Sequence, residues 1–161
     1  LNDFRGKIVV LEWTNHDCPF VAKHYSSGNM QNTQKTAQDS AVIWVSIISS
    51  APGTQGHVTK KEANDLTKSR NATPSHILFD EEGIVGRLYD AKTTPHMYVI
   101  NSKGLLKYQG AIDDAGGRGF IFKDLLKADN YVLNALNATL RNKQIKDPTT
   151  KPYGCSIKYK S

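Results

Sequence analysis

A chain of 161 residues, 39% of them hydrophobic and 22% charged, can bury one full core, which excludes a disordered linker and a disulfide-stapled miniprotein. Its formal charge of +6 is diffuse, with Lys143, Lys146, Lys151, Lys158 and Lys160 near the end. It lacks the aromatic–basic alternation of an RNA-binding surface, and its longest apolar run, Ala41 to Ile48, falls far short of the ~20 residues of a membrane span.

Lys7 to Trp13 reads as a buried strand, Thr14-Asn15-His16-Asp17 as a turn, and Pro19 to Tyr25 as a short helix. Ser26-Ser27-Gly28 interrupts that helix, and Asn29 is the expected N-cap of a second piece reaching Asp39. Ala41 to Ile48, nearly all apolar or β-branched, has the pattern of a central strand covered on both faces. Ser49 to His57 is a loop, and Thr59-Lys60-Lys61-Glu62 is a capping box that opens a helix to about Arg70. Ser75 to Phe79 is a short strand, and Gly83 to Tyr89 a short helix with Ile84, Val85 and Leu88 on one side. His96 to Ile100 and Leu105 to Gln109 flank the turn Asn101-Ser102-Lys103-Gly104 as a β-hairpin. Ala111 to Lys127, with three glycines, has no clear period. Asn130 to Arg141 carries Val132, Leu133, Leu136 and Leu140 at helical spacing and should pack on the sheet. From Asn142 the chain is an extended tail. Alternation of strand and helix signals indicates an α/β layer fold.

Cys18 is the most informative residue. A thiol between a buried strand and a helix opened by Pro19 meets unsatisfied backbone N–H groups and the positive end of the helix dipole, and both favour thiolate. The alternative is a small apolar residue capping a helix. Cys155 lies far along the chain, and the sequence alone leaves open whether the two thiols are unrelated or a redox pair. The chain opens at Leu1 without a Met, so an upstream segment is expected, a cleaved signal peptide among the options. Bacterial cytoplasm and periplasm both remain open as its compartment.

The order strand, Cys-helix, strand, helix, then Thr93-Thr94-Pro95 leading into a hairpin and a final helix resembles the thioredoxin fold. More closely it resembles the redoxin branch of peroxiredoxin-like, AhpC/TSA-like and thiol-disulfide oxidoreductase-like proteins. The matching segments are Phe4 to Leu11, Asp17-Cys18-Pro19-Phe20-Val21, and Thr93 to Ile100. Tyr108 to Asp114 and Pro152-Tyr153-Gly154-Cys155-Ser156-Ile157-Lys158 are similar to one uncharacterised subgroup. The resemblance implies a central mixed sheet flanked by helices, a redoxin domain over residues 1–141, and a tail over 142–161 carrying Cys155. It implies that Pro95 is cis and that the Thr94 backbone lies beside the Cys18 sulfur, where an incoming peptide can pair as an added strand. It also implies that Trp13 packs beside the thiol, with plain core as the alternative.

The departures are informative. A Cys-x-x-Cys dithiol is absent, because Val21 follows in one register and Asn15 precedes in the other. The peroxidase pattern Pro-x-x-x-Thr/Ser-x-x-Cys is replaced by Leu11 and Asn15, and Arg87 and Arg118 are the candidates for a peroxidase arginine. Cys155 is the natural substitute partner: the tail from Asn142 can reach ~45 Å at ~3.3 Å per residue, against a radius of gyration of ~15 Å. Its alternative is a free thiol on a loose tail.

His16 and Asp17 precede Cys18 and could tune it, or be exposed turn residues with Asp17 capping the helix. Lys23 reads as solvated, His24 as a satisfied, partly buried histidine, and Asp113-Asp114 as a turn cap. His57 and His76 have no functional context. Asn71-Ala72-Thr73 and Asn137-Ala138-Thr139 match a glycosylation pattern without any eukaryotic secretory signal beside them.

The leading function is a thiol-dependent redox enzyme without a cofactor: Cys18 attacks a disulfide or a peroxide, Cys155 resolves the intermediate, and a thioredoxin-type reductant resets it. Two other classes compete. One is a copper-binding chaperone using Cys18, Cys155 and either His16 or His96. The other is a redox-inactive binding module whose tail covers the groove beside Pro95.

Overall fold

The computed structural model describes residues 2–116 and 125–161. After a 3-10 turn over Asn2–Phe4, the elements are β1 (Val9–Trp13), α1 (Pro19–Ser26), α2 (Asn29–Asp39), β2 (Ile43–Ile48), α3 (Lys60–Ser69), β3 (His76–Phe79) and α4 (Ile84–Leu88). There follow β4 (Thr93–Thr94), β5 (His96–Ile100), β6 (Leu106–Gly110), a 3-10 turn at Leu125–Lys127, α5 (Tyr131–Leu140) and β7 (Cys155–Ser156). Five strands form one mixed sheet in the order β3-β2-β1-β5-β6. β1 pairs parallel with β2 and antiparallel with β5, so it lies in the middle with all five residues buried.

The period of two along β1 divides the core. Val10 faces a layer built from α1, α2 and α5, with Val21, Tyr25, Met30, Trp44, Met97, Val99 and Leu136. Val9, Leu11 and Trp13 face the opposite layer with Val45, Ile47, Tyr98 and Ile100, covered by Val85 and Tyr89. Glu12 interrupts the apolar run yet is fully buried. Its side-chain oxygens accept from Tyr25, Gln34, Trp44 and Ser46, which joins β1 to α1, α2 and β2. Buried polar groups satisfied in this way fix one packing arrangement.

Local signals explain most boundaries. The Thr59–Glu62 capping box is complete in both directions. Asn130 caps α5 by accepting from the Leu133 N–H at 2.9 Å. The hairpin turn is held by Asn101 Oδ1, which accepts from the N–H groups of Lys103 and Leu105. Three expectations need correction. Gly28, not Asn29, is the N-cap of α2, because the chain turns there with φ +77, which glycine adopts without strain. In α4 Gly86 is buried and Val85 half-buried against the core, while Ile84 and Leu88 are exposed, since five residues give a helix only one buried stripe. Likewise Leu140, at the end of α5, projects into solvent.

The tail beyond Asn142 is extended, largely exposed as far as Thr149 apart from buried Ile145, and tied to the fold at several points from there. Thr150 Oγ1 accepts from the Ala111 N–H at 3.0 Å, and Gln109 pairs with Thr149 beside the β6 edge. Further along, β7 pairs antiparallel with β4. The Lys158 carbonyl then accepts from the Ala51 N–H at 2.9 Å. Tyr159 lies against Gly83 and Gly86, donating to the Ala91 carbonyl at 2.7 Å under the Arg87 guanidinium.

Candidate active site

Cys18 occupies the N-cap of α1, with φ −77 and ψ 122, and Pro19 fills the first turn, where no N–H is needed. The Cys18 N–H bonds the Asn15 carbonyl, and the Cys18 carbonyl accepts from the Ala22 N–H at 2.9 Å, so the residue is fixed from both sides. It is fully buried. The Thr94–Pro95 bond is cis, and the thiol of Cys18 donates to the Thr94 carbonyl at 3.1 Å.

The tail completes the site. In the β4–β7 ladder Cys155 stands opposite Thr94 and Ser156 opposite Thr93, and the Ile157 N–H bonds the Lys92 carbonyl. Gly154 approaches the Thr94 carbonyl so closely that a Cβ would collide with it, and its φ of +140 is one that side chains rarely adopt. The two sulfurs are free thiols gathered at Thr94, whose carbonyl accepts from Cys18 and whose ladder partner is Cys155. The ladder position that the resemblance assigns to an incoming peptide therefore holds the chain's own Cys155.

Electrostatics separates the two thiols. Burial pushes Cys18 up, but the Cys155 thiol, the Val21 N–H, the Thr94 side chain and the Cys155 N–H together outweigh it and hold Cys18 below its ordinary value. Burial, the hydrogen bond to Cys18 and the charge of a Cys18 thiolate push Cys155 up to about 12. The proton is thus held less tightly on Cys18 than on Cys155. The Thr94 hydroxyl is buried and has no hydrogen-bond partner in the thiol state; a sulfur anion at Cys18 gives it one. Thr94→Val should therefore raise the pH midpoint of Cys18 alkylation by iodoacetamide, through loss of a charged hydrogen bond of about 1.5 kcal/mol. An unchanged midpoint would show that the hydroxyl does not act on the sulfur.

The other expected residues divide. Trp13 does not pack beside the thiol. β-strand parity turns its ring to the opposite layer, where it meets Tyr89 and Tyr98 and donates to Ser49 Oγ at 3.0 Å. Asp17 does not cap α1; its carboxylate takes the Gly56 N–H and pairs with His16 at 3.1 Å. His16 contributes its carbonyl to Arg70. Neither His16 nor Asp17 is among the groups that shift the Cys18 thiol. Arg87 is committed to Tyr159 and the Lys160 carbonyl, and Arg118 lies outside the described residues. His96 Nδ1 accepts from the Lys92 N–H, and burial pushes its pKa down to about 4. Among the described residues no three His, Cys, Asp or Glu side chains converge to hold a metal, so the set of Cys18, Cys155 and a histidine is not assembled.

The sequence reading missed Tyr153 and Asn29, and it underrated His24 and Asp113. His24 and Asp113 are each 1% exposed and are linked by Tyr153 and Asn29. Asp113 does cap its turn, accepting from the Ala115 N–H, but it also accepts from Tyr153 and Asn29.

A mixed sheet with a cysteine at the first helix and a cis proline facing it defines a thioredoxin-like α/β protein. The AhpC/TSA family model matches residues 1–109, and the chain belongs to that family of thiol oxidoreductases. Among solved structures it is similar to an uncharacterized conserved protein from Geobacillus kaustophilus, at 22% identity and a TM-score of 0.84, covering 99% of this chain and 82% of that one. A hypothetical protein from Sinorhizobium meliloti is similar at 21% identity and a TM-score of 0.80, over 99% of this chain and 84% of that one. Both likenesses extend over the tail. A secreted Mycobacterium tuberculosis disulfide oxidoreductase matches at 18% identity and a TM-score of 0.51, over 65% of this chain and 69% of that one. Among curated proteins none matches the sequence. Among the described residues no helix is long and apolar enough to cross a membrane.

Proposed function

We propose that the protein is a two-cysteine thiol oxidoreductase in which Cys18 is the attacking sulfur and Cys155 the resolving one. The observation that carries this reading is Cys155 in ladder register opposite Thr94, whose carbonyl accepts from the Cys18 thiol at 3.1 Å. Residues 1–141 act as the redoxin domain, and the tail over 142–161 acts as its built-in second reactant.

With a disulfide as oxidant, the Cys18 thiolate attacks one sulfur, forms a mixed disulfide and expels the other half as thiolate. With a hydroperoxide it takes the terminal oxygen to give sulfenic acid, and the alkoxide or hydroxide leaves and is protonated. In either case Cys155, losing its proton, attacks the Cys18 sulfur. The Cys18–Cys155 disulfide forms, and thiolate or water departs. A dithiol reductant of thioredoxin type then returns both thiols and is itself oxidised. The high proton affinity of Cys155 keeps it from competing for the first attack.

Intact-mass measurement after one equivalent of hydrogen peroxide or of the chromogenic disulfide DTNB tests the cycle. The expected product has lost two hydrogens and carries one intramolecular disulfide between Cys18 and Cys155. Stable separate adducts or oxygen additions on the two cysteines would reject the pairing.

A further inference from the structure

We propose that Tyr153 is the positioning residue of the resolving step: a hydrogen-bonded chain, His24–Tyr153–Asp113, clasps the tail to α1 and thereby fixes Cys155 beside Cys18. The proposal rests on the resolving role of Cys155 argued above and adds the part that holds it in place.

The proton arrangement follows from the donors. Asn29 Nδ2 can only donate; it lies 3.1 Å from Asp113 Oδ2 and 2.9 Å from His24 Nδ1. The Asp113 carboxylate orients that amide, since the opposite orientation would set two oxygens against each other. His24 Nδ1 is therefore an acceptor, and its proton is on Nε2. Nε2–H donates to the Tyr153 oxygen at 2.9 Å, and the Tyr153 hydroxyl donates to Asp113 Oδ1 at 2.5 Å. Every polar atom of the chain has a partner, with four elements contributing: α1, α2, the segment after β6, and the tail. Burial, and then the charge of Asp113, hold the Tyr153 phenol far above its ordinary value, so it stays a donor. Burial holds His24 in its neutral form.

The clasp acts on Cys155 through two short, stiff links. His24 lies on α1, the eight-residue helix whose N-cap is Cys18, so clasp and nucleophile ride on one rigid element. Tyr153 is followed by Gly154, pressed against the Thr94 carbonyl, and then by Cys155. The Tyr153 ring also meets Phe20 edge-on at 6.0 Å and fills the space over Gly116, so its packing is separable from its hydroxyl.

Tyr153→Phe keeps the ring and removes only the hydroxyl. With one equivalent of DTNB, the first released thionitrobenzoate reports attack by Cys18 and the second, with closure of the disulfide, reports resolution by Cys155. The variant should release the first equivalent within about twofold of the wild-type rate and the second at least about tenfold more slowly, equal to about 1.4 kcal/mol of lost positioning. Its Cys155 should also be alkylated faster. A merely structural defect would slow both phases together, and that outcome, like an unchanged second phase, would overturn the clasp. Cys155→Ser, run in parallel, should release one equivalent only. If the wild-type product carries thionitrobenzoate adducts instead of losing two hydrogens by intact mass, the resolving role itself fails; if wild type closes the Cys18–Cys155 disulfide and Tyr153→Phe closes it at the same rate, only the clasp fails.

Discussion

Cys155→Ser should complete one first attack and then stall, and Cys18→Ser should never begin. In the wild-type protein the β4–β7 ladder holds Cys155 opposite Thr94, the residue whose carbonyl accepts from Cys18, so the second step is intramolecular and needs no encounter. Without it the Cys18 adduct must wait for an external thiol, and steady turnover should fall by about 10²-fold or more. The stalled species depends on the oxidant. With a disulfide it is a mixed disulfide at Cys18; with peroxide it is sulfenic acid, advancing to sulfinic acid as excess peroxide reaches it. Cys18→Ser removes the one sulfur held below its ordinary pKa, and Cys155, at about 12, is a poor replacement near neutral pH. Turnover assays with a dithiol reductant, followed by mass mapping of the trapped adduct, check both variants. Full turnover in Cys155→Ser would mean that the thiols act independently and that resolution comes from outside the chain.

Much of this site is legible in the sequence because its decisive signals are local. Cys18-Pro19 after an apolar strand marks a helix N-terminus, and Thr94-Pro95 before another strand marks the turn facing it. Both meet where expected, with the Cys18 thiol 3.1 Å from the Thr94 carbonyl. The path of the tail was legible only as reach and composition, because what pins it is long-range. Tyr153 is far in sequence from both His24 and Asp113, and no short window relates the three. Asn29 looked like a helix cap because of its residue type; the fold uses its side chain for the clasp and leaves the cap to Gly28.

Trp13 is a different kind of miss. The information was present, since alternate residues of β1 must face opposite layers, and Trp13 shares its face with Val9 and Leu11. The resemblance to thioredoxins placed an aromatic beside the thiol, and it prevailed over the parity. Glu12 is similarly marked by its context, a lone acid in Val9-Val10-Leu11-Glu12-Trp13. A charge in a strand buried on both faces has to find donors from other elements, as it does in Tyr25, Gln34, Trp44 and Ser46.

Acid should destabilise the fold through His96, with a loss of about 3 kcal/mol between about pH 6.5 and about pH 4. His96 follows the cis Pro95, is 5% exposed, and pairs across the sheet with Trp13. Burial is the first cause of its depressed pKa of about 4; Asp90 opposes that effect and Lys92 adds to it. The hydrogen bonding agrees, since Nδ1 accepts from the Lys92 N–H at 3.2 Å, and a proton on Nδ1 would set two donors face to face. The unfolded chain binds its proton as the pH falls through about 6.5, while the folded chain stays neutral, so stability drops from there downward. Below about 4 both states are protonated and His96 costs nothing further. His96→Asn keeps an acceptor near the Lys92 N–H and removes the titration. In urea unfolding, wild type should lose about 2–3 kcal/mol more than this variant between about pH 7.5 and about pH 4.5. His24, also held down by burial, is common to both proteins and cancels in the difference. Parallel stability curves for the two proteins would show that His96 titrates alike in the folded and unfolded chains, and that the strand beside the cis proline tolerates its charge.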